Sequence, residues 1–266
     1  VLELTLRVGA DDLEAVLDAI LPRLPGGVHI REDGGEAELA IAGGTTAPDA
    51  EELRALAGPG LIGLTAAEVS DDWRQRRLDR YRPLIVAERF LVRPDWAPAG
   101  AGPDLIEIEI GQSAAFGTAM HPTTQACLAL LAESGPGGSL ADYGCGTGVL
   151  SIAAAKLGWS PIVAVDVSEP SLAATAANAE RNRVEIEVRA VDLTAERPPL
   201  AETVVANVPP AVHLALTERL VETPGRVIAS GFRPEDEGAV AAAWGAHGLE
   251  LEDEVRANDW SVLVMG

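Results

Sequence analysis

The chain has 266 residues, enough for two domains, and 47% of them are apolar, enough to fill real cores. A net charge of −21 argues against nucleic-acid binding through a basic face; it suits a basic partner, or serves only solubility. No apolar run approaches the ~20 residues of a membrane span, Val1-Leu-Glu-Leu-Thr-Leu6 lacks the basic start of a signal peptide, and Cys127 and Cys145 make no disulfide framework, so a cytoplasmic setting away from membranes is expected.

Residues 1–70 read as a small α+β unit. Leu2, Leu4 and Leu6 alternate with polar residues, the pattern of a half-buried strand. Asp11 to Leu21 places Leu13, Val16, Leu17, Ile20 and Leu21 on one helical face, with two acids at its start. Val28–Arg31 and Ala37–Ile41 flank Asp33-Gly34-Gly35, a hairpin signal. Pro48–Leu56 reads as a second helix and Leu61–Val69 as a last strand. The order strand, helix, strand, strand, helix, strand is that of a ferredoxin-like split β-α-β unit. It carries no catalytic constellation, and substrate recognition is its expected role. His29 has no partner at metal-ligand spacing and reads as structural.

Residues 71–83 differ in character. Ser70 suits a helix cap and Pro83 a stop, so the arginine-rich stretch between them is expected to be a linker helix. Its arginines suit pairing with acidic neighbours. A hinge, or RNA contact beside Trp73 and Tyr81, are further readings, the last disfavoured by the overall charge.

Residues 84–266 read as a doubly wound α/β domain. Leu84–Val92 and Leu105–Ile110 are expected strands around a Pro/Gly-rich loop, Pro94 to Pro103. Gly111 to Thr124 has little periodicity and leads into a helix, Gln125–Ala132, with Thr123 or Thr124 near its start. His121 in that loop has no nucleophile or orienting residue beside it and reads as structural. The four histidines show no metal-ligand spacing, so no metal site is expected.

Leu140-Ala-Asp-Tyr-Gly-Cys-Gly-Thr-Gly-Val-Leu150 is the centre of the chain. It reads as strand, glycine turn, helix. The glycines Gly144, Gly146 and Gly148 allow positive φ and let a ligand approach bare backbone at a helix N-terminus. A second strand, Pro161–Asp166, ends in a carboxylate placed to accept hydrogen bonds from ribose hydroxyls. The spacing Gly-x-Gly-x-Gly departs from the dinucleotide fingerprint, and the lysine of a P-loop is absent. Asp142, just before the turn, repels phosphate and suits an ammonium or sulfonium. These features favour S-adenosylmethionine over a dinucleotide. Ile186–Val191 leads to Asp192, a candidate for the adenine edge, and Val204–Asn207 ends in an amide. Asp142, Asp166, Asp192 and Asn207 thus all fall at carboxyl ends of expected parallel strands, where such sheets bind ligands. Arg226–Ser230, a helix over 234–243, and the strand pair Leu249–Val255 and Trp260–Val264 complete the sheet.

Asp72-Trp73, Ala115-Phe-Gly-Thr with His121-Pro-Thr-Thr124, Asp142 to Gly148 and Val204-Val-Ala-Asn207 together resemble the bacterial ribosomal protein L11 methyltransferase family. The resemblance covers nearly the whole chain. It implies S-adenosylmethionine contacts at Thr124, Gly144, Asp166 and Asn207, with Phe116 a weaker candidate; Asp142 and Gly146 join them from the turn itself. It also implies N-methylation of lysine side chains or an α-amine of a basic ribosomal protein, L11, with no residue required as general base. Methylation of a small molecule or of a different protein is the alternative. Two departures bear on substrate. Ala119-Met120 stands where the family usually has Gly-Thr, and Val208-Pro209-Pro210 follows Asn207 where aliphatic residues are usual.

Overall fold

A computed structural model describes residues 2–9, 12–20, 23–24, 29–33, 35–42, 49–68, 82–100, 102–111 and 119–266. The chain divides into two compact units, Val1–Tyr81 and Arg82–Gly266. The expected linker helix falls almost wholly outside the described residues, as do Phe116 and the rest of 112–118.

The first unit is a four-stranded antiparallel sheet with two helices: β1 (Leu2–Gly9), α1 (Leu13–Ile20), β2 (His29–Asp33), β3 (Glu36–Ala42), α2 (Ala50–Ala57) and β4 (Leu61–Glu68). Its strand order, β2-β3-β1-β4, is that of the split β-α-β topology. Alternation explains the layer: Leu4, Leu6 and Val8 of β1 and Leu39 and Ile41 of β3 are buried with Val16, Ile20, Leu53 and Ala57 of the helices. The cap of α2 is Asp49, whose carboxylate accepts the backbone N–H groups of Glu51 and Glu52, each at 2.9 Å.

The second unit opens with a three-stranded sheet: β5 (Leu84–Val86), β6 (Phe90–Pro94) and β7 (Ile106–Ile110). The sequence suggests one strand over 84–92, but a tight hairpin interrupts it. Ala87 (φ 52°) and Glu88 (φ 51°) both turn left-handed, and the Arg89 N–H closes on the Val86 carbonyl at 3.1 Å. Alanine and glutamate give no local signal for that conformation, which favours Asn-Gly. Arg93, buried in β6, donates to Glu107 and Glu109 of β7, each at 2.7 Å, and to the Ala97 carbonyl at 3.0 Å. One guanidinium thereby ties β6, β7 and the loop after β6.

The main sheet has seven strands. Its elements are α3 (Pro122–Ser134), β8 (Leu140–Tyr143), α4 (Val149–Leu157), β9 (Ile162–Asp166), α5 (Glu169–Asn182), β10 (Glu187–Ala190), β11 (Thr203–Asn207), α6 (Pro210–Thr217), β12 (Arg226–Phe232), α7 (Glu237–Gly245), β13 (Leu251–Ala257) and β14 (Trp260–Met265). The order is β10-β9-β8-β11-β12-β14-β13, with β14 antiparallel to β12. The order reverses between β8 and β11, which makes their carboxyl ends the switch point where such sheets bind ligands. Successive strand residues feed two cores. Val205, Ile228, Val262 and Val264 pack with α3 and α4 on one face. Val204, Ala206, Val227, Ala229, Leu263 and Met265 pack with Leu216, Val240 and Trp244 on the other. Cover on both faces explains why the central strands read as unbroken apolar runs.

The start of α3 corrects the expected cap. The helix begins at Pro122, and its cap is His121, whose Nδ1 accepts the Thr123 N–H at 3.3 Å. Proline at the first helical position has no N–H to leave unsatisfied.

Replacing Ala87→Asn and Glu88→Gly should raise the melting temperature by several degrees. Each left-handed non-glycine residue costs roughly 1–2 kcal/mol that the pair relieves. A thermal melt that does not move would show that this turn carries no strain.

Candidate functional site

The site is built from the glycine turn upward. Gly144 (φ 75°), Gly146 (φ 54°) and Gly148 (φ 77°) are all left-handed. The N–H groups of Gly144 and Cys145 both donate to the Val165 carbonyl at 2.9 Å, so the turn hangs from β9 as well as from β8. A Cβ on Gly144 would meet Val208 Cγ1 at 2.4 Å, and one on Gly148 would meet the Thr175 side chain at 2.8 Å. Close packing on both sides therefore requires glycine in addition to the φ angles.

The carboxylates take different places. Asp166, half-buried at the end of β9, accepts the Gly146 N–H on Oδ2 at 3.0 Å and the Ser168 N–H on Oδ1 at 2.9 Å. Each oxygen keeps a further lone pair for a ligand hydroxyl. Asp142 lies beneath the turn, 1% exposed, and its Oδ2 accepts the Ser151 hydroxyl at 2.6 Å and the Ser151 N–H at 3.1 Å. Burial pushes its carboxyl up to about 6, against the pull of Ser151, and the nearby Asp166 charge adds to the rise. Asp192 sits just past β10, whose Ala190 pairs with Asp166, and accepts the hydroxyl and N–H of Thr194 at 2.6 and 2.9 Å.

The structure brings Thr124 and Asn207 together across 83 positions of sequence. Asn207 Nδ2 lies 3.5 Å from Thr124 Oγ1, a long hydrogen bond at the join of β11 and α3. Gly144 faces the Val208 side chain, and a Cβ there would lie 4.0 Å from the Asn207 carbonyl oxygen. Thr124, Gly144 and Asn207 thus line one side of the switch point, and Gly146 and Asp166 the other.

Sequence reasoning passed over His213. Its ring is fully buried, with Nε2 at 2.9 Å from the Ser230 carbonyl and Nδ1 at 3.3 Å from the Trp244 indole N–H. A carbonyl only accepts and an indole only donates, so these partners set the tautomer: Nε2 carries the proton. Burial lowers its pKa to about 4. The same Ser230 carbonyl accepts the Val208 N–H at 3.0 Å, so His213 braces the backbone on which Asn207 is mounted. Gly231 (φ 95°) lies under that turn, and a Cβ there would sit 2.4 Å from the Val208 carbonyl oxygen. Three members of α5 were also missed. Thr175 donates to the Gly146 carbonyl at 3.0 Å, Asn178 to the Thr147 carbonyl at 2.9 Å, and Asn182 to the Glu109 carbonyl at 2.6 Å. A run of small polar residues in a helix gives no signal of this role.

His121 turns its ring edge to Trp260 at 4.9 Å, and the Arg233 guanidinium lies 4.2 Å over that indole. Among the described residues no cluster of histidine, cysteine, aspartate and glutamate is arranged to hold a metal ion. None of the described helices is long and apolar enough to cross a membrane.

A Rossmann-like sheet of this order, with a glycine turn at the switch point and an acid ending the next strand, defines a methyltransferase domain. The profile of the ribosomal protein L11 methyltransferases matches residues 58–266. Curated relatives of that description include those of Cupriavidus necator (36% identical; 65% of this chain, 58% of the relative), Brevibacillus brevis (35%; 80% and 72%) and Pelotomaculum thermopropionicum (36%; 84% and 76%). The solved structure of a ribosomal protein L11 methylase from Lactobacillus delbrueckii subsp. bulgaricus superposes with a TM-score of 0.64 at 26% identity, covering 70% of this chain and 98% of that one. The chain belongs to the ribosomal protein L11 methyltransferase family, a family of S-adenosylmethionine-dependent protein methyltransferases. It spans a little over half the length of the Cupriavidus necator relative.

The two buried groups oppose each other in their pH dependence. The raised Asp142 pKa means the folded state holds its proton more tightly than the unfolded chain, so stability falls as pH rises from about 4 to about 6. The lowered His213 pKa works the other way, adding stability as pH rises from about 4 to 6.5. Asp142→Asn removes only the first slope. The unfolding free energy of the variant minus that of the wild type should climb by about 2 kcal/mol between pH 4 and 6 and level off near pH 7. Urea denaturation across that range reads the difference; a flat line would show that Asp142 is not the buried, proton-holding group described.

Proposed function

We propose that this chain transfers a methyl group from S-adenosylmethionine to amino groups of a basic ribosomal protein, L11 being the substrate that the relatives' names indicate. One observation carries the reading: the bare-backbone turn at the switch point has Asp142 buried beneath it and Asp166 and Asp192 at its rim. No lysine or arginine lies in 140–150, 162–172 or 203–212. A site of that charge suits a ligand with an ammonium and a sulfonium and disfavours the pyrophosphate of a dinucleotide.

When bound, S-adenosylmethionine supplies a methyl group already activated by the sulfonium. The residues have positioning tasks. Asp166 holds the ribose hydroxyls, Gly144 and Gly146 admit the ligand against the backbone, and Asp142 supplies negative charge from beneath. Asn207 donates from Nδ2 toward Thr124, which leaves its side-chain carbonyl to orient the neutral amine. The acceptor amine reacts as the free base, its proton passed to solvent before it enters; desolvation favours that neutral form against the pull of the acids. His213 is not the base, because both ring nitrogens are engaged in a sealed core. The net charge of −21 favours encounter with a basic protein. Residues 1–70 are assigned to substrate recognition.

A second reading has one observation in its favour. Ala119 is left-handed (φ 61°) and buried, and the next residue, Met120, is 48% exposed. This is the segment that departs from the usual Gly-Thr. It suits a different acceptor, a small molecule or another protein, on the same cofactor site.

Labelled methyl transfer to purified L11, followed by mass mapping, separates the two. Label on lysines or on the N-terminus is the expected outcome, and the single lysine of the enzyme, Lys156, makes self-labelling easy to exclude. Binding of the cofactor with L11 left unlabelled would select the second reading. Asp166→Ala should weaken binding of S-adenosylhomocysteine, measured by calorimetry, by about ten- to a hundredfold. Unchanged affinity would remove Asp166 from the site.

A further inference from the structure

Helix α5 buries a polar stripe where an amphipathic helix would bury an apolar one. Thr175, Asn178 and Asn182 follow at intervals of three and four residues, which places them on one face. All three are buried. Buried polar side chains are costly unless satisfied, so a stripe of them marks a structure that the fold is built to hold. What they hold is divided between two places. Thr175 donates to the Gly146 carbonyl at 3.0 Å, inside the glycine turn. Asn182 donates to the Glu109 carbonyl at 2.6 Å and accepts the Glu109 N–H at 2.9 Å, both in β7. Asn178 spans the two. Its Nδ2 donates to the Thr147 carbonyl of the turn at 2.9 Å, and its Oδ1 accepts the Gly111 N–H at the end of β7 at 2.8 Å.

We propose that Asn178 is a positioning residue for the cofactor: its amide fixes the peptide after Thr147 from behind and ties it to the end of β7 at Gly111, so that affinity for the ligand depends on a side chain buried behind the turn. The geometry supports this in two ways. Gly148 packs so closely on the Thr175 side chain that a Cβ would meet it at 2.8 Å, so α5 is the floor of the turn. With 1% exposure, no water can replace the Asn178 amide at the Thr147 carbonyl. The N–H of the same peptide, that of Gly148, donates to the Cys145 carbonyl at 2.7 Å and closes the turn, so a tilt of the Thr147 carbonyl is passed to the neighbouring N–H groups.

Asn178→Asp tests the role. The change is nearly isosteric and keeps an acceptor for Gly111, but it sets a carboxylate oxygen against the Thr147 carbonyl. Asn182→Asp is the control: the same substitution at a buried asparagine one turn further on, where the partners are β7 and the Asn178 carbonyl of the same helix, and not the turn. The readouts are calorimetric affinity for S-adenosylhomocysteine, urea midpoint, and the split of KM for S-adenosylmethionine from kcat. Both variants should lose stability. Only Asn178→Asp should weaken S-adenosylhomocysteine binding, by about tenfold, with KM for the cofactor rising and kcat changing less. If Asn182→Asp weakens binding as much, or Asn178→Asp binds as the wild type does, the role is general stability and the proposal fails. Should Asn178→Asp not fold, Thr175→Val, which removes only the hydroxyl at the Gly146 carbonyl, is held to the same criterion. The inference rests on the cofactor site proposed above, and Asp166→Ala keeps the two apart. Loss of affinity in Asp166→Ala with none in Asn178→Asp sinks only this inference, whereas no loss in Asp166→Ala sinks the site itself.

Discussion

Three consecutive alternate glycines in left-handed conformation are the constraint on which the second unit depends. Between β8 and α4 the chain must reverse within five residues, present backbone at the switch point and begin a helix. Gly144, Gly146 and Gly148 meet that demand, and each neighbour then has to fit them. Val208 closes on Gly144 and Thr175 closes on Gly148, while the Val165 carbonyl takes two N–H groups from the turn. Asp166 fastens Gly146 while standing half-buried at the rim of the turn. The conformational freedom that glycine adds to the unfolded chain is the cost of this arrangement. Hydrogen bonds from three sides are what restrict the turn once folded.

Those supports are polar and lie in low dielectric, where satisfied groups are rigid and unsatisfied ones expensive. Asp142 rests on Ser151, His213 sits between Ser230 and Trp244, and Asn178 and Asn182 engage carbonyls and N–H groups together. Each fixes backbone of a neighbouring element while its own side chain stays inside. The consequence is a site whose geometry is decided one layer below its surface. It also gives the protein two hidden titrations of opposite sign, Asp142 and His213, that largely offset each other between pH 4 and 6.5.

Much of this was legible in order along the chain. Leu4, Leu6 and Val8 alternate because β1 has one buried face, and residues 162–165 and 204–206 are unbroken apolar runs because both faces of the main sheet are covered. Asp166 and Asn207 could be placed at strand ends because a strand that stops on a polar residue announces its carboxyl edge. The hairpin at Ala87-Glu88 was not legible, since neither residue favours positive φ, and His121 was not foreseen as the cap of α3 because threonines beside it are stronger local candidates.

Sequence by itself determined most of the described elements, the glycine turn and the acids at the strand ends. These follow from local rules: hydrophobic period, helix and turn chemistry, and spacing over at most some twenty residues. Only the tertiary structure decided which of those groups meet. Thr124 reaches Asn207 across 83 positions, Gly111 reaches Asn178 across 67, and His213 reaches Trp244 across 31. Such contacts depend on the strand order β10-β9-β8-β11-β12-β14-β13, and no local pattern records a partner that folding brings from elsewhere in the chain. The same reasoning separates the two carboxylates. Asp142 and Asp166 look alike in sequence, each ending a strand, and only packing makes one a buried support and the other an open rim.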